Sequence, residues 1–219
     1  MHNTVQNLIK IADEIKLNLK DSNIVNLPKI IAVSKTFKID KILPLIDYGH
    51  IDFGENKIQE AVDKWTEIKS KNTNIKLHMI GKLQTNKVKF AVKLFDYIHS
   101  VDNKKLAKKI ADEQKKVDKK IKIFIQVNIG NEEQKSGINK TELGDLVLYC
   151  KNINLDILGL MCIPPADEDA SIYFKEINLL NNNFDFTELS MGMSSDYLEA
   201  SKNSASYLRI GSSIFGKRA

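Results

Sequence analysis

Eight short apolar runs punctuate this chain, and a turn followed by a stretch of helical periodicity separates each from the next. The runs cover residues 30–34, 51–54, 77–81, 97–101, 121–128, 155–161, 188–192 and 207–210. Several are apolar almost throughout, as strands buried on both faces are. The seventh, with few β-branched residues, carries the weakest strand signal. Helical stretches span residues 39–48, 56–69, 85–95, 104–118, 140–151, 167–180 and 196–202. Asp102 or Asn103 can cap one of these helices, and Asn139 another. Strand and helix alternate without two-residue hairpin signals, so the strands are expected to run parallel in βαβ units. Eight of them can close into an α/β (β/α)₈ TIM barrel, with residues 5–19 as an additional N-terminal helix. An open doubly wound sheet is the alternative, although it would not need all eight runs. No Gly/Ser/Pro-rich linker divides the 219 residues, and Pro164–Pro165 open a loop straight after the sixth run. A single domain over residues 1–219 is therefore expected.

Charge adds little to this frame. The formal net charge is +5, but the 33 Lys and Arg are interspersed with 28 Asp and Glu. Lys104, Lys105, Lys108 and Lys109 run into Asp112 and Glu113, the pattern of a solvated helix face. A nucleic-acid-binding protein is the competing reading of a basic chain; it would show steeply salt-dependent binding. The sequence lacks the clustered basic stripe with aromatic residues that such a surface needs. A hydrophobic content of 42% argues against disorder. No run reaches the 18 or so apolar residues of a membrane span, and residues 1–20 lack the apolar centre of a signal peptide. Two cysteines, Cys150 and Cys162, make neither a disulfide framework nor a metal set. A cytoplasmic location is expected, with neither nucleic acid nor membrane as partner.

Chemistry in such barrels sits at the C-terminal ends of the strands. The polar residues there are Lys35, Glu55 with Asn56, His78, Ser100 with Asp102, Asn128, Ser194, and Arg209 through Ser212. Lys35 follows a buried strand, where partial desolvation would lower its pKa and free the amine to attack an aldehyde. The competing reading is a lysine that reaches out to water. The loop after the seventh run reads S-M-G-M-S-S-D, and the eighth runs into G-S-S-I-F-G. Loops at these two places often build phosphate sites. Gly211 would let the backbone approach a phosphate, and Ser194, Ser212 and nearby N–H groups could donate to it. Ordinary Gly/Ser turns would look the same. His78 can be read as a proton shuttle or a packed strand residue, and the absence of an Asp or Cys partner at ligand spacing favours packing. Cys162 reads as a small buried apolar group. No nucleophile elbow, P-loop or G-x-G-x-x-G run is present, which removes support for several enzyme classes.

These residues stand within a longer series of motifs: A-V-S-K-T at residues 32–36, F-G-E-N at 53–56, H-M-I-G-K-L-Q-T-N-K at 78–87, and S-V-D at 100–102. The series continues with Q-V-N-I at 126–129, K-S-G at 135–137, G-L-M at 159–161, L-S-M-G-M-S-S-D at 189–196 and R-I-G-S-S-I-F-G at 209–216. In this order and spacing the sequence resembles the pyridoxal-phosphate homeostasis protein family, whose fold is similar to the N-terminal barrel of bacterial alanine racemase. The resemblance implies pyridoxal 5′-phosphate as cofactor, held on Lys35 as a Schiff base. It implies that Ser194, Gly211 and Ser212 hold the phosphate and that Arg209 lies beside the pyridine nitrogen. Asn56 and Met161 would line the cofactor, with His78 nearby. Three departures from the family pattern stand out. Ser212 takes the place of a usual Thr, Lys57 follows F-G-E-N where an aromatic is common, and the chain stops at Ala219 without a terminal Tyr.

The implied function is vitamin B6 homeostasis: reversible storage and delivery of the cofactor by a monomer, with pyridoxal-phosphate-dependent apo-enzymes as recipients and no robust catalysis. An arginine stays charged and cannot take up a proton from the pyridine nitrogen, so Arg209 should weaken the ring as an electron sink. Alanine racemase shares that arginine, so this alone does not exclude a racemase. Racemisation also needs bases on both faces of the substrate carbon, and the chain ends after the eighth run, where alanine racemase continues into a C-terminal β domain. A racemase or related enzyme acting on amino acids is the runner-up, and chiral analysis would separate the two.

Overall fold

The computed structural model describes residues 1–22, 24, 26–132 and 134–217. The strands are β1 (Lys29–Val33), β2 (Asp52–Glu55), β3 (Lys76–Met79), β4 (Tyr97–Val101), β5 (Lys122–Val127), β6 (Asp156–Cys162), β7 (Glu188–Ser190) and β8 (Tyr207–Ile210). Each pairs in parallel with the next, and β8 returns to β1 with Ile31 opposite Arg209, so the sheet is a closed barrel. Closure sets aside the open doubly wound alternative. The strand with the weakest signal, β7, is three residues long and meets β8 at the single pair Ser190 and Tyr207.

The helices are α1 (Asn3–Asn18), α2 (Leu43–Asp47), α3 (Ile58–Lys71), α4 (Val88–Leu94), α5 (Lys104–Val117), α6 (Leu143–Asn152), α7 (Ala170–Asn183), α8 (Tyr197–Lys202) and α9 (Ser212–Phe215). Three of the expected helices open on a 3₁₀ turn, at Ile39–Lys41, Thr85–Lys87 and Lys140–Glu142. In the first, Pro44 supplies no N–H and so suits the start of α2. Asn103 caps α5 by accepting from the Leu106 N–H at 2.8 Å, and Asn139 accepts from that of Thr141 at 3.1 Å. Lys104, Lys105 and Lys108 are exposed, and Lys109 pairs with Glu113, as a solvated face requires. The short α9 was not anticipated, because four residues between glycines carry no readable period. The departure expected at Ala219 lies outside the described residues.

Burial follows the period-two rule of strands. Ala32, Ile98, Ile123, Ile125 and Leu208 face the helices and join the main core with Trp65, Phe174 and the α1 stripe Val5, Leu8, Ile11 and Ile15. Alternate residues Ile31, Tyr97, Phe124, Met161 and Tyr207 form a separate cluster inside the barrel. Each fully buried aliphatic or aromatic side chain stabilises the fold by about 1.5–3 kcal/mol. Gly159 lets β6 approach β7: a Cβ there would stand 1.7 Å from the Glu188 carbonyl oxygen. Among the described residues no helix is long and apolar enough to cross a membrane.

Candidate functional site at the C-terminal end of the barrel

At the C-terminal ends of the strands lies a cavity of about 630 Å³. Its lining brings together Lys35, Asn56, Ser194, Arg209, Gly211 and Ser212, six of the eight residues expected from sequence to surround a cofactor. Phe37, Ile80, Gly81, Ile163 and Met193 complete much of the remaining wall. Met161 and His78 are not part of this lining. Met161 and His78 are both buried, Met161 in the interior cluster against which Ile163 of the cavity wall packs.

Lys35 is half-buried, directly after β1. The backbone on either side of it is clamped. Lys64, from α3, donates to the Ser34 carbonyl oxygen at 2.9 Å, to Glu55 at 3.0 Å and to Glu60 at 2.9 Å. Glu60 in turn accepts from the N–H of Thr36, a residue held at φ 68°. Glu55, fully buried, also accepts from the Ser34 hydroxyl at 2.7 Å and the Trp65 indole N–H at 2.9 Å. Glu55 was readable as a polar strand end, whereas Lys64 and Glu60 gave no signal beyond a helical charge pattern.

The loop between β7 and α8 turns at Gly192, φ 86°, where a Cβ would meet that of Ala200 at 2.5 Å. Asp196 then accepts from the Met193 N–H at 2.6 Å and holds the turn. This geometry delivers the Ser194 hydroxyl to the start of α9, where it accepts from the N–H groups of Gly211 and Ser213, each at 3.3 Å. The two loops that sequence singled out therefore meet. Asn56 borders the cavity, and its Oδ1 is buried without a hydrogen-bond partner among the described residues. A Cβ on Gly81 would lie 2.4 Å from the Asn56 carbonyl oxygen, so that glycine admits the β2 loop.

Arg209, from β8, is 4% exposed, although it carries a charge. It donates from Nη1 to Ser190 Oγ at 2.7 Å and from Nη2 to the Cys162 carbonyl oxygen at 2.8 Å. Burial pushes its pKa down. The Cys162 thiol is fully buried and is pushed up to about 12, chiefly by burial, which leaves it a packing group. Below Arg209 the barrel holds polar side chains that sequence reasoning missed. Ser190 Oγ lies 2.8 Å from His99 Nδ1, His99 Nε2 lies 3.0 Å from His78 Nδ1, and His78 Nε2 lies 2.9 Å from Asp52 Oδ1. His78 is thus packed, as expected, but it has the carboxylate partner that spacing did not reveal. Burial is the largest cause lowering the pKa of both imidazoles. In His99 the neighbouring His78 and Arg209 add to it, and in His78 the hydrogen bond to Asp52 opposes it. Their position was signalled only by β4 alternation, which puts His99 on the same face as Tyr97.

Two other strand-end residues do not face the cavity. Ser100 donates to the Gly81 carbonyl oxygen at 2.6 Å, and Asn128 exchanges hydrogen bonds with the backbone of Glu132. Both shape loops.

Comparison with known proteins matches this fold. Residues 12–219 match the family described as alanine racemase, N-terminal domain. The pyridoxal phosphate homeostasis protein of Haemophilus influenzae is 35% identical over 228 residues, covering 99% of this chain and 96% of its own. PipY of Synechococcus elongatus, solved without pyridoxal phosphate, superposes with a TM-score of 0.88 at 29% identity, covering 98% of this chain and 100% of its own. PipY solved with pyridoxal phosphate bound gives a TM-score of 0.82 at 31% identity, covering 94% and 100%. The chain belongs to the alanine racemase N-terminal domain family and, within it, to the pyridoxal phosphate homeostasis proteins.

Proposed function

We propose that this protein stores and delivers pyridoxal 5′-phosphate, holding it reversibly in the barrel-end cavity as a Schiff base on Lys35. One observation carries the reading: a lysine, a fixed guanidinium and two loops, one bringing the Ser194 hydroxyl and the other Gly211 and Ser212, converge on one cavity large enough for a small ligand. The residues present fit the group. The N–H groups of Gly211 and Ser213 now point at a hydroxyl oxygen, where a phosphate oxygen could accept them. Gly211 has an ordinary φ of −117°, and a Cβ there would meet Val33 only at 3.4 Å or beyond, so the protein's own backbone and packing do not demand glycine. A ligand that approaches closely would. The unpartnered Oδ1 of Asn56 supplies a further polar contact.

When bound, pyridoxal phosphate supplies an aldehyde for amines and a ring that draws electrons most strongly when its nitrogen is protonated. Arg209 would offer that nitrogen donors only and, staying charged, would keep a proton off it. Lys35 offers the amine, and the Glu60–Lys64–Glu55 clamp holds its backbone against the cavity. Ser194, Gly211 and Ser212 would bind the phosphate and Asn56 would line the cofactor, with Met161 and His78 in the barrel interior beneath it. Among the described lining residues the titratable side chains are Lys35, Arg209 and Lys217. This set suits capture and release better than a pair of opposed bases. The protein is proposed to work in the cytoplasm as a monomer that supplies apo-enzymes.

Titrating the purified protein with pyridoxal phosphate tests this. A visible absorbance band should appear, and Lys35→Ala should abolish it. A full band in that variant, or none in the unaltered protein, would reject the assignment. Prolonged incubation with single D- and L-amino acids followed by chiral analysis should show no robust turnover; rapid racemisation would make the protein an enzyme.

A further inference from the structure

A line of buried polar groups crosses the barrel interior from the N-terminal end of β2 to the cavity, and its chemistry fixes a direction. Arg209 can only donate, so Ser190 Oγ accepts from Nη1. Ser190 keeps one hydrogen and a second lone pair, so toward its other neighbour, His99 Nδ1, it can donate or accept, and the opposite end of the line decides. The Asp52 carboxylate can only accept, so His78 carries hydrogen on Nε2 and, as a neutral ring, is bare at Nδ1, where it accepts from His99 Nε2. A neutral His99 is then bare at Nδ1 and accepts the Ser190 hydrogen. A proton added to His78 Nδ1 would face the hydrogen on His99 Nε2. His78, His99 and Ser190 are each 0% exposed, so water cannot relieve such a clash. Tyr97 stacks on His78 with ring centres 4.2 Å apart, and Phe124 on His99 at 4.5 Å, which holds both rings in register. Tyr207 meets both rings at an angle, and its hydroxyl accepts from Lys29, so the cation on β1 is directed at Tyr207.

We infer that Asp52, His78, His99 and Ser190 form a one-way hydrogen-bond chain of positioning residues that locks the Arg209 guanidinium, with both imidazoles neutral and carrying their hydrogen on Nε2. A donor-only cation closes the upper end and an acceptor-only carboxylate the lower end, and with both rings neutral the chain has one self-consistent polarity. Ser190 and the Cys162 carbonyl oxygen take two of the five N–H groups of Arg209. The guanidinium is thereby oriented before any ligand arrives, and the cost of ordering it on binding is removed. The role toward a pyridine nitrogen rests on the function proposed above; the tautomers do not.

Long-range proton–nitrogen NMR on histidine-labelled protein without cofactor, near neutral pH, tests the polarity. Both His78 and His99 should show a protonated Nε2 and a bare Nδ1. A charged ring, or hydrogen on Nδ1 of either, would overturn the chain. Ser190→Ala should weaken pyridoxal phosphate binding about tenfold, while His99, still facing the bare Nδ1 of His78, keeps its hydrogen on Nε2. Unchanged affinity in that variant would overturn the positioning role, and hydrogen on His99 Nδ1 would overturn the anchoring of the chain at Asp52. If the unaltered protein binds no pyridoxal phosphate while the tautomers stand as stated, the proposed function fails and the chain's polarity survives.

Discussion

Lys64 Nζ donates to the carbonyl oxygen of Ser34 at 2.9 Å, so a helix side chain fixes the backbone immediately before Lys35. The same ammonium holds Glu60, which accepts from the N–H of Thr36 immediately after it. The lysine that sequence singled out is thus presented by a charged group two elements away.

Replacing Lys64 by Met should expose what that group sustains. Glu55 is fully buried, and it would keep its neutral donors Ser34 and Trp65 but lose its counter-charge. Breaking a buried pair from one side typically costs about 3–5 kcal/mol. Lys64 retains some exposure, so a loss near the lower end, about 3 kcal/mol, is expected in urea unfolding. The double change Lys64→Met with Glu55→Gln should recover much of it. A single variant within about 0.5 kcal/mol of the original would show that the clamp contributes nothing.

Ser194→Ala tests the anion end. The hydroxyl gathers the Gly211 and Ser213 N–H groups, and its loss should remove about one charge-assisted hydrogen bond to phosphate, roughly tenfold in affinity. Titration with pyridoxal phosphate should show this weakening, whereas pyridoxal, which has no phosphate, should bind both proteins equally. Equal weakening for both ligands would mean that Ser194 shapes the cavity and does not hold the phosphate.

Acid should find the barrel interior. Burial holds His99 neutral well below its ordinary value of 6.5, with His78 and Arg209 adding to the effect. The unfolded chain takes up a proton as pH falls through that value and the folded chain does not, so stability drops with falling pH from about 6.5 downward. Each such histidine contributes a slope of about 0.7 kcal/mol per pH unit at pH 6.5 that approaches about 1.4 kcal/mol a unit below it. Denaturant unfolding between about pH 6.5 and 5.5 should show this steepening. His99→Gln should reduce the slope at the acid end of that range by nearly one proton. An unchanged slope would mean that His99 titrates equally in both states.

The fold was readable in the sequence because a closed parallel sheet buries both faces of its strands and writes them as apolar runs. The reading frayed where that signal is thin: β7 shrinks to three residues, and 3₁₀ turns open three of the helical stretches. The rim was readable because its groups end strands, which is how Lys35, Ser194, Arg209 and Gly211 stood out. The interior chain was not. His99 and Ser190 lie 91 residues apart and meet only when the barrel closes, and inside a strand a polar residue looks like any break in an apolar run. His78 illustrates both cases, since its burial was foreseen from packing and its Asp52 partner, 26 residues away, was not.

Mass spectrometry after borohydride reduction of the protein incubated with pyridoxal phosphate fixes the ligand irreversibly to whichever amine holds it. A single modification on the peptide carrying Lys35 is the expected result. Modification confined to other lysines, or no modification at all, would contradict the proposed site.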